Sequence, residues 1–290
     1  MMVAEKIKNG RMDIKLLPQW HQYLQLPESD WSLCDLALLA AEHLQPELDR
    51  LGYTHKLDDM IGMLAQRVKA SDDLSTKIQQ LNHFFYSELG FHNNADDYYN
   101  PDNSLLNKVM DARQGIPISL AILYLRFAEA IDIQSFGISF PGRFLVGIYH
   151  DGNNLVIDPY DNGKQLDKSR LFELLAKASM SIGKPQDIDE YLVSASKRQI
   201  MIRLLRNLKN IYIENQEIEK GLTVIELMLS LTGESPDELR DRGMIYYHLE
   251  YTQGALQDLQ RYLELKPDTS ERGVIEAIIE TLNEHTTPLH

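Results

Sequence analysis

One part of the chain matches itself when it is shifted by 34 residues. The shift aligns Ile211 with Ile245, Tyr212 with Tyr246, Leu222 with Leu256 and Leu231 with Leu265. Apolar residues within each copy recur at helical spacing. A unit of this size cannot bury its apolar face alone, so neighbouring units must stack. The pattern therefore commits the chain from about 199 onward to packed helical hairpins, and a partner for their faces must be found.

A period of 34 is the tetratricopeptide length. The second copy carries the residue types that this motif needs. Leu239 and Tyr246 pack its first helix, Gly243 permits close helix approach, Ala255 sits at the crossing, and Leu259 fills the core. Pro267 ends the unit. The first copy is degenerate: Lys209 stands at one crossing position, while Gly221 keeps the other. Residues 270–283 are expected to form a capping helix, giving an all-α region over 199–286. Two copies fall below the roughly three of a free-standing solenoid, so the hairpins are expected to dock on the preceding domain. They either brace it or bind a partner. The predicted inner face is Arg203, Arg206, Asn210, Asp237, Arg240, Met244, Tyr247 and His248. Its three arginines suit a protein or peptide partner bearing carboxylates. The alternative is that they pair with the chain's own acids.

The earlier part reads as α+β. Residues 1–28 are expected to be weakly structured, with Trp20 and Tyr23 as anchors. Ser29 signals a helix start ahead of the apolar run 33–44. Cys34 falls on that helix's apolar face, which makes it an inert core residue. Helices follow over 57–70 and 74–89, the latter ended by Gly90. Residues 91–104 are rich in turn formers and read as an ordered loop, with Ser104 capping a short helix over 105–112. Pro117 suits the first turn of a helix running to about Ala130. That helix is apolar nearly all round, as in a central buried element. Three strands are expected at 133–140, 143–150 and 154–158. Pro141-Gly142 and Asp151-Gly152-Asn153 form the turns between them. A helix over 168–178 closes a domain spanning 29–180, and 181–198 reads as a connecting segment.

Four motifs in this domain resemble one bacterial family. They are Asp97-Tyr98-Tyr99-Asn100-Pro101-Asp102-Asn103-Ser104, Arg113-Gln114-Gly115-Ile116-Pro117-Ile118-Ser119-Leu120, Phe140-Pro141-Gly142-Arg143-Phe144-Leu145-Val146 and Ile157-Asp158-Pro159-Tyr160. The family is that of the regulators of sirC expression, in which a transglutaminase-like domain precedes tetratricopeptide repeats. The likeness covers about 30–285. It implies a papain-like core with a small antiparallel sheet. In active enzymes of this type, a Cys at the start of the central helix is the nucleophile, a His on the next strand the base and an Asp the orienting group. Here the nucleophile position falls on Pro117, with Ser119 the nearest hydroxyl. Arg143 stands where many members have His, and Asp158 matches the acid. Arginine stays protonated and cannot act as a base. His150 lies on the other face of its strand, and His92 would have to fold over the site.

Net charge is −14. A chain this acidic is a poor match for phosphate backbones or anionic membrane surfaces. One cysteine excludes an intramolecular disulfide, and no apolar run reaches the length of a membrane span. The opening residues lack a signal-peptide pattern, so a cytoplasmic location is expected. Asp96, Asp97 and Asp102 do not follow calcium-loop spacing. No zinc pattern or phosphate loop appears, so neither metal nor cofactor is predicted.

Two functional readings follow. The first is a non-catalytic adaptor with a degenerate transglutaminase-like domain. Its surviving pocket would use Asn94, Tyr98, Tyr99, Asn103 and Arg113 for ligand, around Pro117, Ser119, Arg143 and Asp158. The second is an amide-directed hydrolase or acyltransferase that uses Ser119 with an unidentified base.

Overall fold

The computed structural model describes residues 14–178 and 188–286. They divide into two compact units. One is Pro18–Ile211; the other joins Tyr212–His290 with the segment ending at Leu17.

The first unit begins with helix α1 (Pro18–Leu24). Trp20 is fully buried and meets His43 edge-on. The Tyr23 hydroxyl accepts the Ser32 N–H. Helix α2 (Leu33–Leu44) starts at Ser32, whose side chain accepts the Asp35 N–H. Ser29, the expected start, instead lies in a 3-10 turn at Glu28–Asp30. Cys34 is buried in α2, and that burial raises its thiol pKa, as an inert core residue requires. Helix α3 (Arg50–Ala65) starts nearly two turns ahead of Leu57, where its apolar stripe begins, because Asp49 caps the Gly52 N–H. Helix α4 (Leu74–Asn82) runs on as a π-helical turn over His83–Glu88. Gly90, with φ of +75°, then ends it.

Two very short strands, β1 (His92–Asn93) and β2 (Gln114–Gly115), pair in parallel. Between them lie a 3-10 turn at Pro101–Asn103 and helix α5 (Leu106–Ala112). Ser104 does not cap α5, and its hydroxyl is buried without a hydrogen-bond partner. The β1–β2 pair ties the expected loop back against the start of helix α6 (Pro117–Glu129). Pro117 loses nothing at the first turn, where no intrahelical bond is available to its nitrogen. α6 is buried nearly all round.

Strands β3 (Ser135–Ile138), β4 (Leu145–Ile148), β5 (Leu155–Asp158) and β6 (Lys164–Leu166) form an antiparallel sheet in chain order. Sequence reading found the first three. Its two turns hold: Gly142 and Gly152 take φ of +68° and +81°, values open to glycine at little cost. α6 packs on β3 and β4. Register puts Phe136, Ile138, Leu145, Val156 and Leu166 on one face. Leu171, Leu174 and Leu175 of helix α7 (Lys168–Ala178) join them in one core cluster. Residues Gly183, Lys184 and Pro185 of the expected connecting segment lie outside the described residues. Further on, Ile188 is buried in that cluster. Ser194 bridges to Ile138, and the Ala195 N–H donates to the Gly137 carbonyl at 2.8 Å.

The division between units falls inside helix α8 (Lys197–Glu214). The second unit continues with α9 (Ile218–Thr232), α10 (Pro236–His248), α11 (Thr252–Leu265) and α12 (Arg272–Thr286). α10 and α11 make the tightest hairpin: a Cβ on Gly243 would stand 2.9 Å from Leu259. Ala255 and Leu259 are fully buried there. Leu222, Ile225, Ile245, Tyr246 and Leu282 form a core against which Ile14 also packs. Arg242 joins three helices. Its guanidinium grips the Asp258 carboxylate at 2.6 and 2.8 Å and reaches Glu226 at 2.6 Å. Among the described residues no helix is long and apolar enough to cross a membrane.

Candidate functional site

The start of α6 is where a helix-borne nucleophile would profit from free N–H groups and the positive end of the helix dipole. Pro117 occupies the first turn and is itself buried. Ser119 is 0 % exposed. Its hydroxyl oxygen accepts the Ile116 N–H at 3.1 Å, and the hydroxyl has the carbonyls of Asn103 at 2.6 Å and Ile116 at 3.1 Å as acceptors. That side chain staples the loop to the helix start.

Arg143 follows the Pro141-Gly142 turn, which the Arg143 N–H closes onto the Phe140 carbonyl. Its Nε lies 3.6 Å from Asp158 Oδ2. The guanidinium lies over the Tyr160 ring, 4.7 Å from its centroid. Asp158 ends β5 and is 2 % exposed. Its other oxygen accepts the Tyr160 N–H at 2.9 Å. Burial pushes the Asp158 pKa above the usual carboxylate value, while Arg143 and that N–H pull it back. The pair is an ion pair under an aromatic lid.

Tyr98 meets Tyr160 edge-on at 6.4 Å and Tyr99 at 5.3 Å. Burial raises the Tyr98 pKa, and the charges of Arg143 and Arg203 oppose the rise, so two guanidiniums act on one phenol. Arg203 donates to Ser139 Oγ at 2.6 Å and to the Phe140 carbonyl at 3.1 Å. It also lies over Phe144. Its burial lowers its own pKa. Thus Arg203, expected on the repeat groove, belongs to the first unit and completes a cluster with Tyr98, Arg143, Asp158 and Tyr160. Such a cluster can hold an anion or stack on a planar group. It contains no histidine, and its one carboxylate, Asp158, is held by Arg143.

The remaining expected residues divide. Asn94 and Asn103 bond to each other, and Asn103 also holds the Asp97 carbonyl at 2.6 Å, so both amides shape the loop. Tyr99 is 72 % exposed. Arg113 adopts a left-handed conformation at the end of α5 and turns to Phe91 and Met60. His92 Nε2 lies 2.9 Å from Gln114 Nε2, and His150 is exposed beside Asp151. Neither histidine has a contact with Asp158 or Ser119.

Of the predicted partner face, Arg203, Arg206 and Asn210 fall in the first unit, and the other five in the second. Arg206 and Asn210 are exposed. Asp237 pairs with Lys266 at 3.3 Å, and Arg240 with Asp241 and Glu271 at 2.7 and 2.9 Å. Met244 and Tyr247 are partly buried against core clusters, and His248 is exposed beside Tyr247. Tyr160 and Arg242 escaped sequence reading as functional or structural centres. The Asp-Pro-Tyr motif was the available signal for Tyr160.

Comparison with known proteins gives two family matches. Residues 52–206 match the transglutaminase-like superfamily, and residues 208–280 match the tetratricopeptide repeat. A UPF0162 protein of Xylella fastidiosa strain Temecula1 is 33% identical over 95% of this chain and 98% of its own length. Protein SirB1 of Salmonella typhimurium is 29% identical over 89% of this chain and 95% of its own. The UPF0162 protein YchA of Escherichia coli K12 is 27% identical over 89% and 95%. No solved structure matches.

Proposed function

We propose that this chain, which belongs to the transglutaminase-like superfamily and to the same family as the UPF0162 proteins and SirB1, works as a non-catalytic, cytoplasmic adaptor with a regulatory role. The observation that carries this reading is Arg143 on Asp158. The position that needs a proton acceptor holds a cation, paired with the acid that would otherwise orient a histidine. The full burial of Ser119 adds to it. The tetratricopeptide unit supplies the binding function, since such hairpins present side chains along a concave face. The partner is a protein or peptide with accessible carboxylates, met by a face of the second unit that includes Arg240, Met244, Tyr247 and His248.

Two measurements test this. Wild-type chain treated with a fluorophosphonate probe is expected to carry no label at residue 119 on peptide mapping. A stoichiometric adduct there would revive the hydrolase or acyltransferase reading. Capture from bacterial lysate is expected to recover a partner that an added glutamate-rich peptide displaces. A His248→Glu chain, the site being exposed, should lose that partner. Equal recovery by the two chains would remove the groove from the proposal.

A further inference from the structure

An opening lies in the first unit, along the C-terminal half of α6. It has a volume of about 1080 Å³. That exceeds the roughly 300–1,000 Å³ of pockets built for small molecules. Its apolar lining includes Trp31, Leu57, Ile122 and Phe136, all four buried. Its acidic lining is Glu28, Asp30, Asp35, Asp58, Glu129 and Asp132, against the bases Arg126 and Lys197. Those two bases are occupied. Arg126 lies 3.7 Å from Asp58 and 3.5 Å from Glu129. Lys197 donates to the carbonyls of Ser29 and Trp31 at 2.6 and 2.5 Å. Among the described residues Asp30, Asp35 and Asp132 have no cation at ion-pair distance.

One wall is the outer edge of β3, contributed by Ser135, Phe136 and Gly137. The Tyr149 N–H donates to the Gln134 carbonyl at 3.0 Å, which fixes the phase of the β3–β4 ladder. Hydrogen-bonding direction alternates along an antiparallel strand. Phe136 and Ile138 therefore bond to β4, and the backbone groups of Ser135 and Gly137 point outward. Ala195 takes the Gly137 carbonyl. The N–H and C=O of Ser135 are left facing the groove, while the outward side of Gly137 is met by Ala195. The edge is open at Ser135, ahead of the bridge between Ile138 and Ser194, and an open edge is a template for another strand.

We propose that this groove binds an extended segment of a partner protein, with Lys or Arg at alternate positions, which pairs with β3 as an added strand. Alternation places every second side chain on one side of the strand, towards the acids. Charge selects the occupant: a second copy of this chain would bring a net charge of −14 to an acidic groove. The inference is independent of the Arg143 cluster and of the repeat face.

The test uses a fluorescein-labelled peptide of alternating lysine and valine, titrated by anisotropy with the full chain. Saturable binding that weakens with salt is expected. Asp30→Asn with Asp132→Asn should weaken it about tenfold, as two partly screened ion pairs would. Asn is suited to position 132, whose φ is +58°. A backbone N-methylated peptide of the same sequence should not bind. Ser135→Pro should also abolish binding, since its outward N–H is absent from the β4 ladder and proline is tolerated on an edge. Equal binding of the methylated peptide would reduce the site to charge alone and overturn the strand pairing. Unchanged affinity of the double Asn variant would overturn the basic occupant. Dimerisation of the chain, abolished by Ser135→Pro, would assign the edge to a second copy instead.

Discussion

Arg143→Leu is expected to lower the stability of the first unit by about 2–3 kcal/mol at neutral pH. Removing one partner of a buried pair strands the other charge, at a typical cost of about 3–5 kcal/mol. The lower range applies because the Arg143 side chain is 23% exposed and its approach to Asp158, at 3.6 Å, is loose. The deficit should shrink with acid. The folded pKa of Asp158 is raised above 3.8 by burial. The native state therefore binds this proton more readily than the unfolded chain does. Between 3.8 and the raised value, stability falls as pH rises, and above the raised value the ionised carboxylate costs its full amount. Without Arg143 the pKa climbs further, and that window widens upward. Urea unfolding at pH 7 and pH 5, read by tryptophan fluorescence, checks this. Both tryptophans, Trp20 and Trp31, lie in the first unit. A deficit independent of pH would show that Arg143 acts through its stacking on Tyr160 and not through Asp158. Arg143→Lys, which keeps the charge and loses the stacking, should fall between wild type and Leu.

Arg242→Leu is expected to have the largest effect in the second unit, about 3–5 kcal/mol. Its loss leaves Asp258, whose side chain is 4% exposed, and the half-buried Glu226 without a cation where three helices meet. Tryptophan is silent here, so the readout is far-UV circular dichroism together with amide exchange in α9, α10 and α11. A second substitution, Asp258→Leu, should recover much of the loss, because the penalty is an unpaired buried charge and not a missing attraction. If the single variant melts like wild type, water enters that junction and the triad is ornamental.

These two arginines also mark the limit of what the sequence discloses. Periodicity and turn chemistry are local signals, and they located α6, α7, the repeat helices and both hairpin turns. Local signals failed where two candidates compete, as when Ser32 and not Ser29 caps α2. They failed again where the apolar stripe begins after the cap, as in α3. β6 is three residues long, too short for alternation to register. The site was legible as a departure from a motif: Arg143 and Asp158 were named, and they meet. The role of Arg203 was not legible. Its partners Ser139 and Phe140 lie more than sixty positions earlier, and helical spacing alone assigned it to a different surface. Arg242 sat among many charged residues on a helix, and nothing in its neighbours announced a buried triad.

Ile14 packs on the core of the C-terminal hairpins, so the second unit is assembled from two pieces of chain separated by nearly two hundred residues. Order of synthesis then matters. A ribosome releases every residue of the first unit before the hairpins are complete, and the segment around Ile14 must wait for helices not yet made. Shortening the chain at its front should therefore be felt at its back, as a weaker final assembly of the repeats.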